Sequence, residues 1–403
     1  MTIRQCAVLV GGRGTRLGEL TAHTPKPLLP CGDRPMLAWL LRELVRFGIE
    51  EFVLLAGYHA EAVKAVVPAL SGWLPRPAHI VVSEEPEQAG TGGAVYHARA
   101  LLDQQFMLCN GDSVFDSNIA PLLAEEAGAC RMMLCRFGEA SRYGVVSLDG
   151  DHVRGFRERP TSPGTGLINA GIYRFDRALL DDLTPVCSLE ADILPHLATR
   201  GVLLGTVGEG YFRDIGVPAD LDRAREELPR VLHRPALFLD RDGVVNVDHG
   251  YVGTRESFEW MPDAREAIRA ATDAGWHVFV VTNQSGVARG YYDEAAVIAL
   301  HDWMAGEVRR AGGTIDDIRY CPFHEEATVA AYRRASDWRK PAPGMLLDLM
   351  RKWELDPARC IFVGDQETDM LAARAAGIEG MRFTGGSLAE FVSPILERSA
   401  CRC

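Results

Sequence analysis

The chain has 403 residues, of which 47% are hydrophobic and 24% are charged, and this balance is typical of a globular protein with more than one domain. The net charge of −12 argues against nonspecific nucleic-acid binding, which needs a basic face. No stretch approaches the roughly 18 consecutive apolar residues of a membrane-spanning helix, and the first apolar run is too short for a signal peptide. Ten cysteines are too sparse for a disulfide scaffold. We therefore expect a cytoplasmic protein without membrane or nucleic-acid partners.

Short β-rich apolar runs alternate with amphipathic helical patterns, which predicts an α/β fold. In the first half, strands are predicted at 6–10, 52–56, 79–82 and 106–109, and helices at 36–47, 60–70 and 92–102. Four β runs then follow in succession, at 131–136, 145–148, 153–156 and 167–175. This change of rhythm predicts a Rossmann-like domain with a mixed sheet.

A second alternating set begins near residue 236. Its predicted strands are 236–239, 277–281, 318–320 and 360–363, and its predicted helices are 262–274, 294–310, 344–353 and 368–376. Charged helix-like sequence gives way to PRVLHRP before this set, which predicts two doubly wound domains, 1–228 and 235–403. Ligands of such folds bind at the carboxyl ends of the strands, so the loops that follow the strands are the candidate sites.

The loop after the first predicted strand is rich in glycine and positive charge. It reads Gly11-Gly12-Arg13-Gly14-Thr15-Arg16-Leu17, and Pro25-Lys26-Pro27 follows it. The glycine spacing fits neither the P-loop nor the dinucleotide fingerprint. Glycines let backbone N–H groups approach phosphate oxygens, while Arg16 and Lys26 supply positive charge. The alternative is a tight turn with two surface cations, and a lysine held between prolines makes phosphate binding the better interpretation.

These motifs, together with Asn110-Gly111-Asp112 and Phe212-Arg213-Asp214, resemble those of the sugar-1-phosphate nucleotidyltransferases over roughly residues 3–225. The resemblance implies attack by a sugar 1-phosphate on the α-phosphorus of a nucleoside triphosphate, with release of pyrophosphate. It assigns Gly11, Gly12, Gly14, Thr15 and Gly90 to the nucleotide, Arg16 and Lys26 to catalysis, and Asp112 and Asp214 to Mg²⁺. It assigns Glu158, Arg159, Asn169 and Glu190, with Asp192 nearby, to the sugar phosphate. Most of the family carries lysine where this chain has Arg159.

Glu85 stands where the family's base-recognising residue falls, shortly before Gly90-Thr91-Gly92-Gly93. A carboxylate only accepts hydrogen bonds, and guanine offers N1–H and an amino group on one edge. Thymine and uracil present a carbonyl oxygen that a carboxylate would repel. Glu85 therefore favours GTP, with a solvated loop residue and the use of UTP as the open alternatives.

Four polar loops mark the second half. They are Asp240-Arg241-Asp242-Gly243, Thr282-Asn283-Gln284-Ser285-Gly286, Arg339-Lys340-Pro341 and Gly364-Asp365-Gln366-Glu367-Thr368-Asp369. In this order they resemble the haloacid-dehalogenase superfamily over roughly residues 235–390. With Asp248-His249-Gly250-Tyr251-Val252, the match is to the branch that hydrolyses heptose 1,7-bisphosphate and histidinol phosphate. The gaps between the motifs are too short for a large cap domain.

This second resemblance implies a phosphatase that works through an aspartyl phosphate. Asp240 would be the nucleophile and Asp242 the general acid and base. Thr282 and Lys340 would hold the phosphoryl oxygens, and Asp365 would complete a Mg²⁺ site with Asp240 and the backbone carbonyl of Asp242. The rest of the substrate would contact Asp248, Tyr251, Asn283 and Arg339.

One departure concerns zinc. The heptose phosphatases usually carry a zinc loop with Cys-x-His and Cys-x-Cys ligands, and here that loop reads Cys321-Pro322-Phe323-His324, then Ser336-Asp337-Trp338. Four soft ligands cannot be assembled from these residues. We therefore expect no structural zinc and a loop held by packing of Phe323 and Trp338. The terminal Cys401-Arg402-Cys403 is expected to be a frayed tail.

A phosphatase joined to a nucleotidyltransferase suggests two consecutive steps, in which a heptose 1,7-bisphosphate loses its 7-phosphate and the product reacts with GTP to form GDP-heptose. The substrates would thus be GTP and heptose phosphates. Open alternatives are mannose 1-phosphate or UTP at the first site and another small ester, such as histidinol phosphate, at the second. A nucleotide-sugar sensor and a nucleic-acid end-processing phosphatase fit the residues less well. The β-rich stretch around residues 131–175 could carry a homodimer interface.

Overall fold

The computed structural model describes residues 3–86, 88–123, 128–138, 144–157 and 165–400. The chain folds into two compact units, Met1–Leu232 and His233–Cys403. Among the described helices, none combines the length and the apolar composition needed to cross a membrane.

The strands of the first unit build a mixed sheet. Its strands are β1 (Gln5–Leu9), β2 (Pro30–Cys31), β3 (Arg34–Pro35), β4 (Glu51–Ala56), β5 (His79–Glu84), β6 (Gln105–Asn110), β7 (Ser113–Asp116), β8 (Cys130–Phe137), β9 (Val145–Asp149), β10 (His152–Arg157), β11 (Gly166–Asp176), β12 (Leu203–Gly208) and β13 (Tyr211–Asp214). In the part of the chain that the structure describes, nine of them form one sheet in the order β5-β4-β1-β6-β11-β8-β12-β10-β9. The strands β5, β4, β1 and β6 are parallel, and β11 is antiparallel to both β6 and β8. The mixed sheet is confirmed.

Helices cover this sheet and bury its apolar residues. They are α1 (Met36–Arg46), α2 (Ala60–Trp73), α3 (Gly90–Ala98), α4 (Leu194–Thr199) and α5 (Pro218–Leu232). Strand β1 lies between β4 and β6 and is almost fully buried. Its alternate side chains pack into two separate apolar cores, one on each face of the sheet. The carboxyl ends of β1 and β6 therefore lie side by side.

The second unit contains a fully parallel sheet. Its strands are β14 (Ala236–Leu239), β15 (His277–Asn283), β16 (Asp317–Cys321), β17 (Cys360–Gly364) and β18 (Glu379–Arg382), in the spatial order β16-β15-β14-β17-β18. Its helices are α6 (Ala264–Asp273), α7 (Ser285–Arg289), α8 (Glu294–Arg310), α9 (Gly344–Trp353), α10 (Glu367–Ala376) and α11 (Leu388–Ala400). The described connections between these strands carry helices and loops rather than an inserted domain, in agreement with the predicted fold class.

Several elements were missed by the sequence patterns. Strands β2, β3, β7, β12, β13 and β18 and helices α4, α7 and α11 were not predicted. Most are short, and within the described ranges the four-residue strands β7 and β13 pair only with each other. A strand of that length gives almost no periodic signal. It forms because it pairs with a strand that is distant in the sequence.

Candidate active sites

One cavity of about 300 Å³ in the first unit gathers many of the side chains that the sequence singled out. Its walls come from the glycine-rich loop after β1, from the Pro-Lys-Pro segment and from the end of β6. The predicted residues that line it are Gly12, Gly14, Thr15, Arg16, Lys26, Asp112 and Glu190. Glycine backbone, two cations and two carboxylates thus meet in one concave space, which suits a phosphorylated ligand.

Gly14 determines the shape of the glycine-rich loop. Its φ of 60° lies in the left-handed region, which glycine adopts at little cost, and a Cβ there would lie 2.9 Å from Cγ2 of Thr21. The buried Thr21 donates a hydrogen bond of 3.1 Å to the Gly14 carbonyl, and the backbone N–H of Leu17 donates another of 2.8 Å. The loop is therefore held in shape by its own contacts.

Lys26 is the central charge of this site. Its Nζ lies 2.5 Å from Oδ2 of Asp112 and 3.7 Å from Oδ1 of Asp214. Burial raises the pKa of Asp214, and the negative charge of Asp112 raises it further, against the opposing effect of Lys26. Two carboxylates therefore share one cation.

The ribbon of β7 and β13 brings these two carboxylates together. Asp112 precedes β7, Asp214 ends β13, and Asp214 pairs with Ser113 in the ribbon. The N–H of Ile215 also donates to the Asp112 carbonyl at 3.1 Å. The two carboxylates carry more negative charge than the one lysine between them can balance. They therefore fit Mg²⁺, a hard cation that prefers oxygen ligands.

Glu85 lies beside the start of the glycine-rich loop. A Cβ on Gly57 would lie 2.1 Å from Oε1 of Glu85, and a Cβ on Gly11 would lie 2.6 Å from the nitrogen of Gly57. Oε2 of Glu85 accepts a hydrogen bond from the Ala89 N–H at 3.3 Å. Burial raises the pKa of Glu85, although this hydrogen bond lowers it in part. The carboxylate is thus partly desolvated next to the predicted nucleotide loop.

Glu190 also lines the cavity. Its Oε2 accepts a hydrogen bond of 2.8 Å from Thr91. The neighbouring Asp192 accepts one of 2.7 Å from the Ser188 N–H, so Asp192 orders the turn that presents Glu190. The predicted pair Glu158 and Arg159 lies outside the described residues.

Asn169 and Gly90 have their own local partners. Nδ2 of Asn169 donates to the Tyr173 hydroxyl at 2.6 Å, and its Oδ1 accepts from the Gly171 N–H at 2.9 Å. A Cβ on Gly90, at φ 77°, would lie 2.6 Å from the Cys187 carbonyl oxygen. Close packing against residue 187 therefore requires glycine at position 90, whether or not a nucleotide binds there.

In the second unit, the predicted phosphatase residues meet at the carboxyl edge of the parallel sheet. Asp240 follows β14, Thr282 and Asn283 end β15, and Asp365 follows β17. Nδ2 of Asn283 donates to the Lys340 carbonyl at 3.1 Å, and the Lys340 N–H donates to Oδ1 of Asn283 at 3.0 Å. This reciprocal pair ties the Arg-Lys-Pro loop to the end of β15.

Lys340 is buried between two carboxylates. Its Nζ lies 2.8 Å from Oδ1 of Asp240 and 2.7 Å from Oδ1 of Asp369. Burial raises the pKa of Asp240 to about 7, and the negative charges of Asp369 and Asp242 contribute, while Lys340 opposes the shift. Burial lowers the pKa of Lys340, but the two carboxylates raise it overall. The lysine is therefore charged and fixed beside the predicted nucleophile.

Asp365 completes an acidic cluster with Asp240 and Asp369, in which the three oxygen atoms lie within 4.8 Å of one another. Oδ1 of Asp365 is buried and has no hydrogen-bond partner among the described residues. Burial raises the pKa of Asp365. An orphaned buried carboxylate oxygen in an oxygen-only cluster fits a Mg²⁺ ligand.

Asp242 lies two residues after the nucleophile, with both carboxylate oxygens engaged. Nη2 of Arg241 lies 3.0 Å from each oxygen. Nδ2 of Asn246 donates to Oδ1 at 3.0 Å, and Nε2 of Gln284 donates to Oδ2 at 2.9 Å. Gln284 also donates to Oγ1 of Thr282 at 2.8 Å. These donors hold the predicted general acid in one orientation.

The residues predicted to contact the rest of the phosphatase substrate have contacts of their own. Asp248 accepts a hydrogen bond of 2.9 Å from the Gly250 N–H, which shapes the turn before Tyr251. The guanidinium of Arg289 lies 5.8 Å from the centroid of the Tyr251 ring. Burial lowers the pKa of Arg339, and the positive charge of Arg289 lowers it further. Two arginines are therefore neighbours on this side of the site.

Comparison with known proteins assigns both units to families. Residues 6–230 match the model of the nucleotidyl transferase family, and residues 337–390 match that of the HAD-hydrolase-like family. Over 163 residues, the chain is 53% identical to the D-glycero-beta-D-manno-heptose-1,7-bisphosphate 7-phosphatase of Rhodopseudomonas palustris. This alignment covers 40% of this chain and 91% of that protein. The protein of the same name in Escherichia coli K12 is 44% identical over 144 residues, with 36% and 75% covered.

The chain belongs to the nucleotidyl transferase family through its first unit and to the family of these 7-phosphatases through its second. Among solved structures, HddC from Yersinia pseudotuberculosis is 28% identical, with a TM-score of 0.50, 56% of this chain covered and 99% of that chain covered. Its complex with GMP-PN matches with the same values. Both resemblances predicted from the motifs are confirmed.

The loop where the related phosphatases usually carry zinc is packed against the core of the second unit. Phe323 and Trp338 are partly buried against it. The guanidinium of Arg334 lies 3.8 Å from the Phe323 ring centroid, and Nδ1 of His324 accepts a hydrogen bond from the Glu326 N–H at 3.0 Å. Apolar packing and stacking are thus present in this loop, and the absence of zinc stays a prediction.

Three residues with no predicted role contact the predicted catalytic groups, and a fourth contacts one of these three. Asp369 binds Lys340, Gln284 and Arg241 bind Asp242, and His301 contacts Arg241. Asp369 had a readable signal, because it ends the same Gly-Asp-Gln-Glu-Thr-Asp motif that contains Asp365 and lies in the first turn of α10. His301 had none, since it lies mid-helix in α8, far from any motif.

We predict that Asp369→Asn slows the phosphatase and spares the transferase. Lys340 would lose one of its two carboxylate partners, and a hydrogen bond between charged groups contributes about 1.5–3 kcal/mol, so kcat for phosphate release should fall about 10-fold to 100-fold. Pyrophosphate release by the same preparation should not change. The control is Asp302→Asn, at an exposed position of α8. Phosphate release within about twofold of the unmodified rate would contradict the role of Asp369.

Proposed function

We propose that the chain catalyses two consecutive steps of GDP-heptose biosynthesis. The second unit hydrolyses the 7-phosphate of D-glycero-D-manno-heptose 1,7-bisphosphate, and the first unit transfers GMP from GTP to the resulting heptose 1-phosphate. The supporting observation is that one chain joins a unit of the 7-phosphatase family to a unit of the nucleotidyl transferase family. The product of one proposed reaction is the substrate of the other.

The phosphatase step starts from Asp240. One of its carboxylate oxygens attacks the 7-phosphorus, the bond from phosphorus to the sugar oxygen breaks, and Asp242 gives its proton to that oxygen. Asp242 then takes a proton from water, whose oxygen attacks the aspartyl phosphate and releases inorganic phosphate. Lys340 and Thr282 hold the phosphoryl oxygens through both halves of the reaction.

The transfer step is mainly a matter of position and charge. An oxygen of the sugar 1-phosphate attacks the α-phosphorus of GTP, and the bond to the β-phosphate oxygen breaks, so that pyrophosphate leaves with the electron pair. Arg16 and Lys26 face this chemistry in the first cavity. The glycine-rich loop would receive the phosphates, and Glu190 and Asn169 would contact the sugar.

Both sites have residues that would hold Mg²⁺. In the first site these are Asp112 and Asp214, and in the second they are Asp240, Asp365 and the backbone carbonyl of Asp242. When bound, the ion would neutralise phosphate charge. We expect no structural zinc, and a homodimer stays a prediction.

Asp240→Asn should separate the two activities. Without the nucleophile, phosphate release from the bisphosphate should fall by about 10³-fold or more, whereas pyrophosphate release from GTP and heptose 1-phosphate should not change. Lys26→Met should do the reverse. Each variant therefore serves as the control for the other, with phosphate and pyrophosphate measured separately. Loss of both activities in Asp240→Asn would contradict independent sites.

The overall proposal is tested by mass spectrometry of one mixture of protein, Mg²⁺, GTP and the bisphosphate. GDP-heptose together with phosphate and pyrophosphate is the expected result. Heptose monophosphate without GDP-heptose would overturn the transferase half as stated, and mannose 1-phosphate and UTP would then be tested in its place. An untouched bisphosphate would overturn the heptose pathway and leave another ester, such as histidinol phosphate, as the candidate.

Glu85 supports GTP as the nucleotide. A carboxylate beside the glycine-rich loop can accept from both N1–H and the amino group of guanine, and HddC, with 28% identity, has been solved with GMP-PN. The location of Glu85 against Gly57 and near Gly11 is consistent with a base edge next to the loop.

We predict that Glu85→Gln lowers kcat/KM for GTP about 10-fold to 100-fold. The carboxylate accepts a hydrogen bond worth about 1.5–3 kcal/mol, whereas the NH₂ of glutamine would face an N–H donor of guanine. Because the pKa of Glu85 is raised, the carboxyl protonates at a higher pH than an ordinary glutamate. KM for GTP should therefore rise as the pH falls through that raised pKa, and this rise should vanish in Glu85→Gln. A variant with an unchanged ratio of GTP to UTP turnover would contradict base recognition by Glu85.

Arg289 and Arg339 support a substrate with two phosphates. Neither forms an ion pair among the residues that the structure describes, and Nε of Arg289 is buried without a hydrogen-bond partner. Bringing two guanidinium groups together is unfavourable, and the exposed Glu325 offsets this only in part, so an anion that joins them would stabilise the pair. The phosphate that is not hydrolysed is such an anion.

Arg289→Gln should therefore raise KM for the bisphosphate about 10-fold or more with little change in kcat. Hydrolysis of p-nitrophenyl phosphate, which has one phosphate, should stay at the unmodified level. Arg269→Gln, which removes an exposed arginine on α6, is the matched control for loss of one positive charge. An equal change in KM for both substrates would contradict a second phosphate subsite.

A further inference from the structure

Arg241 is a charged side chain with no solvent exposure in the second unit. Its Nη2 donates to both oxygens of Asp242 at 3.0 Å and to the Val252 carbonyl at 2.5 Å. Its Nη1 lies 3.2 Å from Nε2 of His301. The guanidinium therefore joins the predicted general acid on one side to a helix of the fold on the other.

His301 comes from the middle of α8 and is 5% exposed. A guanidinium only donates hydrogen bonds, so Nε2 of His301 must be the acceptor and the imidazole must be neutral. Burial lowers the pKa of His301 well below its usual value, and the charge of Arg241 lowers it further. The ring of Tyr320 meets the imidazole edge to face at 5.8 Å between centroids, which fixes the ring plane.

Without this acceptor, the Nη1 N–H that points at the imidazole would lose its partner, and the Tyr292 hydroxyl, which also contacts Arg241, is a neighbouring acceptor. An unsatisfied buried donor costs about 1–3 kcal/mol, and the guanidinium would relieve that cost by rotating toward another acceptor. Rotation would move Nη2, which binds Asp242. The remaining donors to Asp242, from Asn246 and Gln284, each reach one oxygen only.

We propose that His301 is a positioning residue of the phosphatase, which holds Arg241 so that Asp242 stays aimed at the leaving oxygen. The proposal rests on the phosphatase function proposed above. His301 touches no reacting atom and acts through two intervening contacts. Its contribution belongs to the proton transfer from Asp242 and not to the attack by Asp240.

This assignment has a chemical signature. A sugar or alkyl alcohol leaves as a strong base and needs the proton of Asp242, whereas p-nitrophenolate leaves without one. Misplacing Asp242 should therefore slow alkyl esters far more than aryl esters, because general acid catalysis contributes about 10²-fold to 10⁴-fold. A general loss of folding or of metal binding would slow both classes equally.

The test compares kcat for a simple primary alkyl phosphate and for p-nitrophenyl phosphate in the full-length protein. We expect His301→Leu, which has no acceptor, to lower the alkyl rate about 10-fold to 100-fold and the aryl rate less than about threefold. His301→Gln, whose carbonyl oxygen can replace Nε2, should restore most of the alkyl rate. Tyr320→Phe keeps the ring that contacts His301 and serves as the packing control, with both rates unchanged.

Equal losses for the two esters, or no loss in His301→Leu, would overturn the proposal. If His301→Leu does not fold, His301→Asn gives the same comparison, because the asparagine side chain is too short for its amide oxygen to reach Arg241. Hydrolysis of p-nitrophenyl phosphate, which does not need the proton of Asp242, reports the amount of folded second unit. A wild-type protein that cleaves the alkyl ester but not the heptose bisphosphate would contradict the proposed pathway and leave the test of His301 intact.

Discussion

Each unit of this protein surrounds one lysine with two aspartates. Lys26 faces Asp112 and Asp214, and Lys340 faces Asp240 and Asp369. Partly buried carboxylates at this spacing repel one another and lose hydration, so each cluster is stable only with positive charge between its members. The same deficit of positive charge that strains the free site makes it suitable for a divalent cation and a phosphate group.

The parallel strands bring these charged residues together. In both units the polar loops follow the carboxyl ends of neighbouring strands, so residues far apart in sequence meet at one edge. The central strands β1, β6, β14, β15 and β17 are largely apolar and buried, which keeps the edge in place while the loops carry the charge. A protein with a net charge of −12 can thus bind anions, because the local arrangement of lysine and arginine decides the sign of each site.

The sequence predicted the two α/β units and most long elements, because buried strands and amphipathic helices have a strong periodic signal. It could not predict the ribbon of β7 and β13, whose four-residue strands carry no such signal and which joins Asp112 to Asp214. Motif order indicated the residues that do chemistry. The residues that orient them were harder to find, since Gln284 and His301 became meaningful only once their contacts with Asp242 and Arg241 were known.

The contacts of Asp242 show why motifs alone understate a site of this kind. An aspartate can serve as an acid only if its carboxyl points at the leaving oxygen, and its orientation here depends on Arg241, which in turn needs an acceptor inside the fold. That acceptor comes from a helix with no other part in the chemistry. Two chains with identical loops can therefore differ in their preference for leaving groups, if the buried partner of the arginine differs. The motif determines which reaction is possible, and the packing behind it determines how well the proton is delivered.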